Sequence, residues 1–177
     1  MKDQPQILVR LDRCVGCHSC ELACAVAHSE SGSLYQAISE NPRPQRRIFV
    51  ETAVGVKAPM LCRHCDDAPC ARVCPSGALS FDQASGVVLY RNLRCLGCLL
   101  CVLACPMGMI QQQQDLKHIV KCDRCTHREV PACVSACPTR ALRFQTTNEF
   151  TALRRQEISR RMLNAVASGR PSRSAPS

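Results

Sequence analysis

Residues 95–106 read CLGCLLCVLACP. Cys95, Cys98, Cys101 and Cys105 follow the spacing C-x2-C-x2-C-x3-C, with Pro106 directly after the last. Three cysteines on so tight a loop can reach three corners of one cubane iron–sulfur cluster. The fourth, carried on the next helical turn, points away and can serve a second cluster. The same spacing recurs in CVGCHSCELAC, residues 14–24, as Cys14, Cys17, Cys20 and Cys24. Two looser runs alternate with these. CRHCDDAPCARVCP holds Cys62, Cys65, Cys70 and Cys74, and CDRCTHREVPACVSACP holds Cys122, Cys125, Cys133 and Cys137. All 16 cysteines of the 177-residue chain fall into these four runs, with none left over. That is the number needed for four cubanes at four thiolates each. The order tight, loose, tight, loose reads as a duplicated two-run unit.

Rival uses of cysteine fit less well. Structural zinc sites come as two CxxC-like pairs separated by a longer loop. Here three cysteines crowd together twice, and Pro75, Pro106 and Pro138 follow the last cysteine of three runs. Proline there directs the chain away from the ligand and removes an N–H that would need a partner. A disulfide scaffold belongs to secreted chains, whereas MKDQPQILVRLDRC has no apolar signal region. No stretch reaches the ~20 apolar residues of a membrane span. The expected home is a reducing cytoplasm, with peripheral attachment to a membrane only through partners. His18 and His64 lie between cysteines of their runs, but no cysteine is missing for a histidine to replace, so both are expected near the clusters or at the surface. No phosphate-cradling glycine loop, flavin motif or nicotinamide motif accompanies them.

The formal charge of +9 suggests nucleic acid at first sight. That count treats every cysteine as neutral. Four thiolates around an oxidised cubane leave about −2, so four clusters bring about −8 and nearly cancel it. Arg13, Arg94 and Lys121 each precede the first cysteine of a run and are candidates to offset cluster charge. A nucleic-acid partner is therefore not expected. Aromatic content is 3 %, with no Trp. So little bulk for a core implies that metal must staple the fold, and that the apo chain is largely unfolded.

The linkers read as short strands. Ile7, Val9 and Leu11 alternate with polar neighbours. Residues 47–54 (RIFVETAV) are β-rich, 79–90 form a hairpin turning at 82–86, and 141–144 close as a strand. Gln111 to Gln114 are expected at an exposed hairpin tip. The longest linker, 25–61, carries the loop signals Ser31-Gly32-Ser33 and Asn41-Pro42-Arg43-Pro44. Thr146 and Glu149 have capping-box spacing for a helix over 146–168, stopped by Gly169 and Pro171. Its apolar stripe of Phe150, Leu153, Ile158, Met162 and Val166 suits docking on its own domain, with a partner or a membrane surface as the other reading.

The four quoted runs resemble the four-cluster iron–sulfur subunits of complex oxidoreductases, such as those of dimethyl sulfoxide reductase and formate dehydrogenase. The resemblance covers residues 5–145. With ELACAVAHS and PQRRIFVE, the chain looks most like the small iron–sulfur protein associated with nickel carbon monoxide dehydrogenase. Electron-transfer subunits of formate hydrogenlyase systems and of tungsten aldehyde oxidoreductases are similar too. The resemblance implies an α+β fold of two nested bacterial-type ferredoxin units, with short antiparallel strands and small helices. Residues 1–145 would form the four-cluster domain, 146–169 a C-terminal helix and 170–177 a disordered tail. It also implies the pairing. One cluster takes Cys14, Cys17, Cys20 and Cys137, and a second Cys24, Cys122, Cys125 and Cys133. A third takes Cys62, Cys65, Cys70 and Cys105, and a fourth Cys74, Cys95, Cys98 and Cys101. Spacing alone does not prove this pairing, and a tandem arrangement, run one with two and three with four, is sterically conceivable. The expected cofactors are four [4Fe–4S] clusters. The expected role is one-electron transfer between a catalytic oxidoreductase subunit, carbon monoxide dehydrogenase foremost, and an acceptor such as a hydrogenase. No substrate bond is made or broken on the chain itself. A maturation factor for such an enzyme and a zinc-binding module are the alternatives from other classes.

Overall fold

A computed structural model describes residues 4–113 and 117–168. In chain order the elements are β1 (Gln6–Val9), α1 (Ser19–Ala27), α2 (Leu34–Ala37), β2 (Ile48–Ala53), β3 (Val56–Leu61), α3 (Pro69–Arg72) and β4 (Leu79–Asp82). Then come β5 (Val87–Tyr90), α4 (Leu100–Ala104), β6 (Ile110–Gln112), β7 (Ile119–Lys121), α5 (Ala132–Ser135), β8 (Leu142–Gln145) and α6 (Thr147–Ala167). The fold is α+β. Its strands form two-stranded antiparallel ribbons rather than one sheet.

Three ribbons are local hairpins, β2–β3, β4–β5 and β6–β7. The fourth joins segments far apart in sequence. β1 pairs with β8, placing Ile7 opposite Phe144 and Val9 opposite Leu142. An isolated ribbon is marginal in water and needs a packed face. Two apolar clusters provide that face. One contains Cys20, Cys24, Ile48, Leu61, Cys133 and Leu142, with Ile7, Val9 and Cys137 against it. The other contains Cys70, Leu79, Val88, Cys101, Ile110 and Ile119, with Cys74 and Cys105 against it. Helix packing follows the same division, α1 on α5 and α3 on α4. The first cluster therefore gathers the first and fourth cysteine runs, and the second gathers the two middle runs.

Several expectations shift in detail. Leu11 leaves the strand for a 3-10 turn, Leu11–Arg13, and is 51 % exposed. Gln111 and Gln112 are paired strand residues opposite Val120 and Ile119, not a tip. The Gln113 N–H donates to His118 O at 2.8 Å, and Gln114 falls outside the described residues. The 25–61 linker contains α2 and a full strand, β3, that its loop signals concealed. Pro59 sits in β3 opposite Val50, tolerated because a two-stranded ribbon leaves each strand a free edge.

α6 starts as the capping box requires. Thr146 Oγ1 accepts from Glu149 N, and Glu149 Oε2 accepts from Thr146 N. The helix docks on its own chain through Glu157, which accepts from Arg10 and from Arg13 (2.9 Å). Phe150 joins β1 in lining a cavity of about 420 Å³. The distal stripe stays uncovered, with Met162 and Val166 exposed. Gly169, Pro171 and the 170–177 tail lie outside the described residues. No described helix is long and apolar enough to cross a membrane.

Candidate metal centres

Each run is shaped by one backbone device. The residue before the second cysteine is left-handed in all four: Gly16 (φ 67°), His64 (49°), Gly97 (69°) and Arg124 (58°). The tight runs use glycine there, the residue that adopts this region freely. In the loose runs the position carries a buried side chain instead. A second device closes three of the runs. Three residues after the last cysteine, Gly77, Gly108 and Arg140 are again left-handed, and their N–H groups donate to the carbonyls of Cys74, Cys105 and Cys137 at 3.1–3.2 Å. That turn aims the next amide at the sulfur. Met109 N donates to Cys105 Sγ at 3.3 Å, and Ala141 N to Cys137 Sγ at 3.2 Å. The first run has no proline and no such turn, because α1 continues through Cys24. There the Arg47 N–H supplies the bond to Cys24 Sγ, at 3.3 Å.

The cysteines converge across runs as well as within them. Cys14, Cys17, Cys20 and Cys137 line one cavity with Val50, Pro59 and Leu142. Around Cys133 the acting thiols are, in order, Cys122, Cys24, Cys125 and then Cys20. Cys70 faces Cys62 and Cys105. Cys101 faces Cys74 first and Cys70 second, and the Tyr90 hydroxyl lies against Cys95. Cys65 and Cys98 are carried on the same loops as Cys62 and Cys95. Burial raises many of these thiols: Cys20 and Cys101 to about 11, Cys122 to about 12, and Cys133 as well. Thiolates in such places need nearby positive charge or a metal. Cys17 is instead lowered, by the Ser19 hydroxyl and N–H.

Two polar networks surround these sulfurs. His28 caps the C-terminal end of α1, four residues after Cys24. Its Nε2 is 3.1 Å from Asp123, its Nδ1 is 2.7 Å from Cys24 O, and Arg47 donates to the other Asp123 oxygen at 2.8 Å. Burial opposes a charged His28, but Asp123, Cys125 and Cys24 outweigh it and raise the imidazole to about 12. His28, Asp123 and Cys125 are close enough together to hold an ion. Asp123 is already engaged by His28, Arg47 and the Cys125 N–H, which accounts for the grouping without one. The second network is central. Val88 N donates to His64 Nδ1 at 3.1 Å, and Lys121 Nζ lies 3.4 Å from the same atom. Burial, with Lys121 and Arg124 nearby, pushes His64 down to about 2. The ring therefore carries its proton on Nε2, a buried donor with no acceptor among the described residues.

The residues fit iron–sulfur clusters on this chemistry. The donors that converge across the runs are thiols, with His28 and Asp123 beside them already paired to each other. Backbone N–H groups point at sulfur, and His64 Nε2–H is placed to donate to an acceptor such as a cluster sulfur. His18 and His64 part company: His18 is exposed and paired with Glu21 at 3.0 Å, whereas His64 is buried. Of the three cations preceding a run, only Lys121 is buried. Arg13 pairs with Glu157, and Arg94 is exposed. Sequence reasoning missed His28, Arg47 and Asp123. The i+4 spacing of His28 from Cys24 was the one available signal.

A family model described as a 4Fe-4S dicluster domain matches residues 54–147, and one for a 4Fe-4S binding domain matches residues 11–27. The chain is 38 % identical over 176 residues to an iron-sulfur protein of Rhodospirillum rubrum, covering 90 % of this chain and 92 % of that one. It is 38 % identical over 173 residues to the electron transport protein HydN of Escherichia coli, covering 89 % and 97 %. A tetrathionate reductase subunit of Salmonella typhimurium is 36 % identical over 135 residues, which span 74 % of this chain and 53 % of that protein. With cysteine runs, sulfur-directed amides and relatives in agreement, the chain belongs to the 4Fe-4S ferredoxin-like family of electron-transfer subunits.

Proposed function

We propose that this chain passes single electrons between a catalytic oxidoreductase subunit and a second redox partner, along four [4Fe–4S] sites in two nested ferredoxin units. The sites are those the family resemblance implies: Cys14, Cys17, Cys20 and Cys137; Cys24, Cys122, Cys125 and Cys133; Cys62, Cys65, Cys70 and Cys105; Cys74, Cys95, Cys98 and Cys101. Convergence of cysteines across runs favours this nesting over a tandem order. The observation that carries the reading is exposure. Cys17 and Cys98 are the exposed cysteines, and they fall in the first and last of these sets. An electron could therefore enter at one end and leave at the other.

A cubane bound in such a set supplies a one-electron couple whose potential follows exposure, hydrogen bonds to sulfur and nearby charge. The chain's own residues set those terms. The amides of Arg47, Met109 and Ala141 donate to cysteine sulfur, apolar residues such as Ile48 and Val88 exclude water, and Cys17 and Cys98 keep the ends within reach of a partner. For that partner, the sequence resemblance favours a carbon monoxide dehydrogenase in the cytoplasm, with a hydrogenase or similar acceptor. A subunit role in a formate dehydrogenase, hydrogenlyase or aldehyde oxidoreductase complex is the second reading. The likeness to a protein named as a reductase subunit favours it.

Iron and acid-labile sulfide analysis tests the cofactor: about sixteen iron atoms per chain are expected, and stoichiometric zinc without a chromophore excludes it. Anaerobic capture of the partner from native cells tests the complex. Recovery with only a molybdenum or tungsten enzyme would refute the first choice. Cys24→Ser tests the crossing, because it should perturb the site shared with Cys122, Cys125 and Cys133 and spare that of Cys14, Cys17 and Cys20. Loss of the latter signal alone contradicts the nesting.

A further inference from the structure

Two positive charges lie in the middle of the molecule with no acidic partner among the described residues. Lys121 ends β7 and is 4 % exposed, and Arg124, between Cys122 and Cys125, is 8 % exposed. The Lys121 ammonium donates to Val88 O and Cys122 O, both at 2.8 Å, and lies 3.4 Å from His64 Nδ1. The Arg124 guanidinium donates to Pro5 O at 3.3 Å, Ser85 O at 3.1 Å and Gly86 O at 2.9 Å. Every one of these acceptors is neutral. Asp123, between the two cations in sequence, is committed to His28 and Arg47. Arg10, the other buried cation among the described residues, differs: it has both Asp12 and Glu157.

Burying a cation without a counter-charge is strongly unfavourable. The compensating charge has to come from sulfur. Lys121 acts electrostatically on Cys70 and Cys122, and Arg124 interacts with Cys122 and Cys62. Both cations thus bridge the second and third cysteine sets of the proposed function, on which this inference rests. Those sets contain no exposed cysteine, whereas each outer set has one. The cations that precede the outer tight runs are not equivalent, since Arg13 is neutralised by Glu157 at 2.9 Å and Arg94 is solvated.

We propose that Lys121 and Arg124 form a fixed cationic bridge that holds the reduction potentials of the two inner sites above those of the two outer sites. Reduction adds one negative charge to a site. A full cation nearby, in a poorly screened interior, favours that added charge. Two electrons delivered one at a time by a reduced catalytic partner would come to rest at the two inner sites. They leave singly to the oxidised acceptor. The middle of the chain then works as a two-electron store between partners, and the outer sites serve as relays.

The test is a reductive titration of the iron-replete full chain, followed by electron paramagnetic resonance with and without a soluble dysprosium chelate. The chelate speeds relaxation of clusters near the surface. Signals that appear first are expected to be insensitive to it, and first signals that respond to it overturn the proposal. Lys121→Met should lower the potential of the early signals by at least tenfold in the reduction equilibrium, about 59 mV for one electron. The late signals should hold, and Lys121→Arg should restore the early ones. No shift, or an equal shift of all signals, in an iron-replete variant overturns the bridge. Should Lys121→Met fail to retain iron, the order of reduction in the unaltered chain decides alone. Failure of the ligand sets themselves would be seen separately, in the iron content and in Cys24→Ser.

Discussion

Gly97 shows how little freedom a single ligand loop has. Its φ of 69° is in the left-handed region, and a Cβ there would lie 2.8 Å from Lys117 O, a backbone atom that cannot swing aside. Gly77 has a similar φ of 63° but nothing within 4 Å of a Cβ. Gly77→Ala should therefore cost only the left-handed penalty, about 1–2 kcal/mol, and Gly97→Ala distinctly more. Thermal bleaching of the visible absorption in the two variants checks this, and equal midpoints would contradict the steric argument. The cysteine ligand types were legible in sequence because cluster chemistry demands thiolates at short spacing. The left-handed roles of His64 and Arg124 were not. Glycine advertises that conformation in the tight runs, whereas a bulky residue in the same place does not.

Among the elements, α6 is held at its middle. Glu157 accepts from Arg10 and Arg13 and also pairs with Arg161 at 2.9 Å, while none of the helix's residues is fully buried. Glu157→Gln should free the helix, so trypsin should cut within the arginine-rich stretch 154–161 several-fold faster. Arg161→Gln, which removes only an exposed i,i+4 pair, should change that rate little. Neither variant should alter iron content. Hydrogen bonding to Arg10 and Arg13 holds the Glu157 carboxyl down at about 2. Its folded-state value is below the ordinary one of 4.5, so this anchor persists at neutral pH and is lost only as pH falls from about 4.5 toward 2. The capping box made the start of α6 readable in sequence. Its docking was one of several readings, since no sequence pattern announces a contact between Glu157 and Arg10. β3 escaped for a related reason: no alternating pattern marks VKAPML as a strand, and it is pairing with β2 that makes it one.

For the molecule as a whole, the core is thin, which predicts that it needs metal to stand. Among the described residues only Ile48, Val87, Val88 and Pro131 are large side chains with under 2 % exposure, and both apolar clusters are built partly of cysteines. Removing iron with a chelator under reducing conditions should abolish most secondary structure in far-ultraviolet circular dichroism. Retention of a cooperative thermal transition in the apo chain would contradict this. Sequence by itself determined the donor chemistry and most of the short strands, because each depends on residue type and near-neighbour spacing, while the α+β class followed from the family resemblance those motifs carry. Tertiary structure decided which runs meet. Pairing of β1 with β8 brings the first run to the fourth, a contact between segments more than a hundred residues apart that no local pattern encodes. It also decided which charges count. Lys121, Arg13 and Arg94 look alike before their cysteines, but only Lys121 is buried, with no carboxylate partner among the described residues.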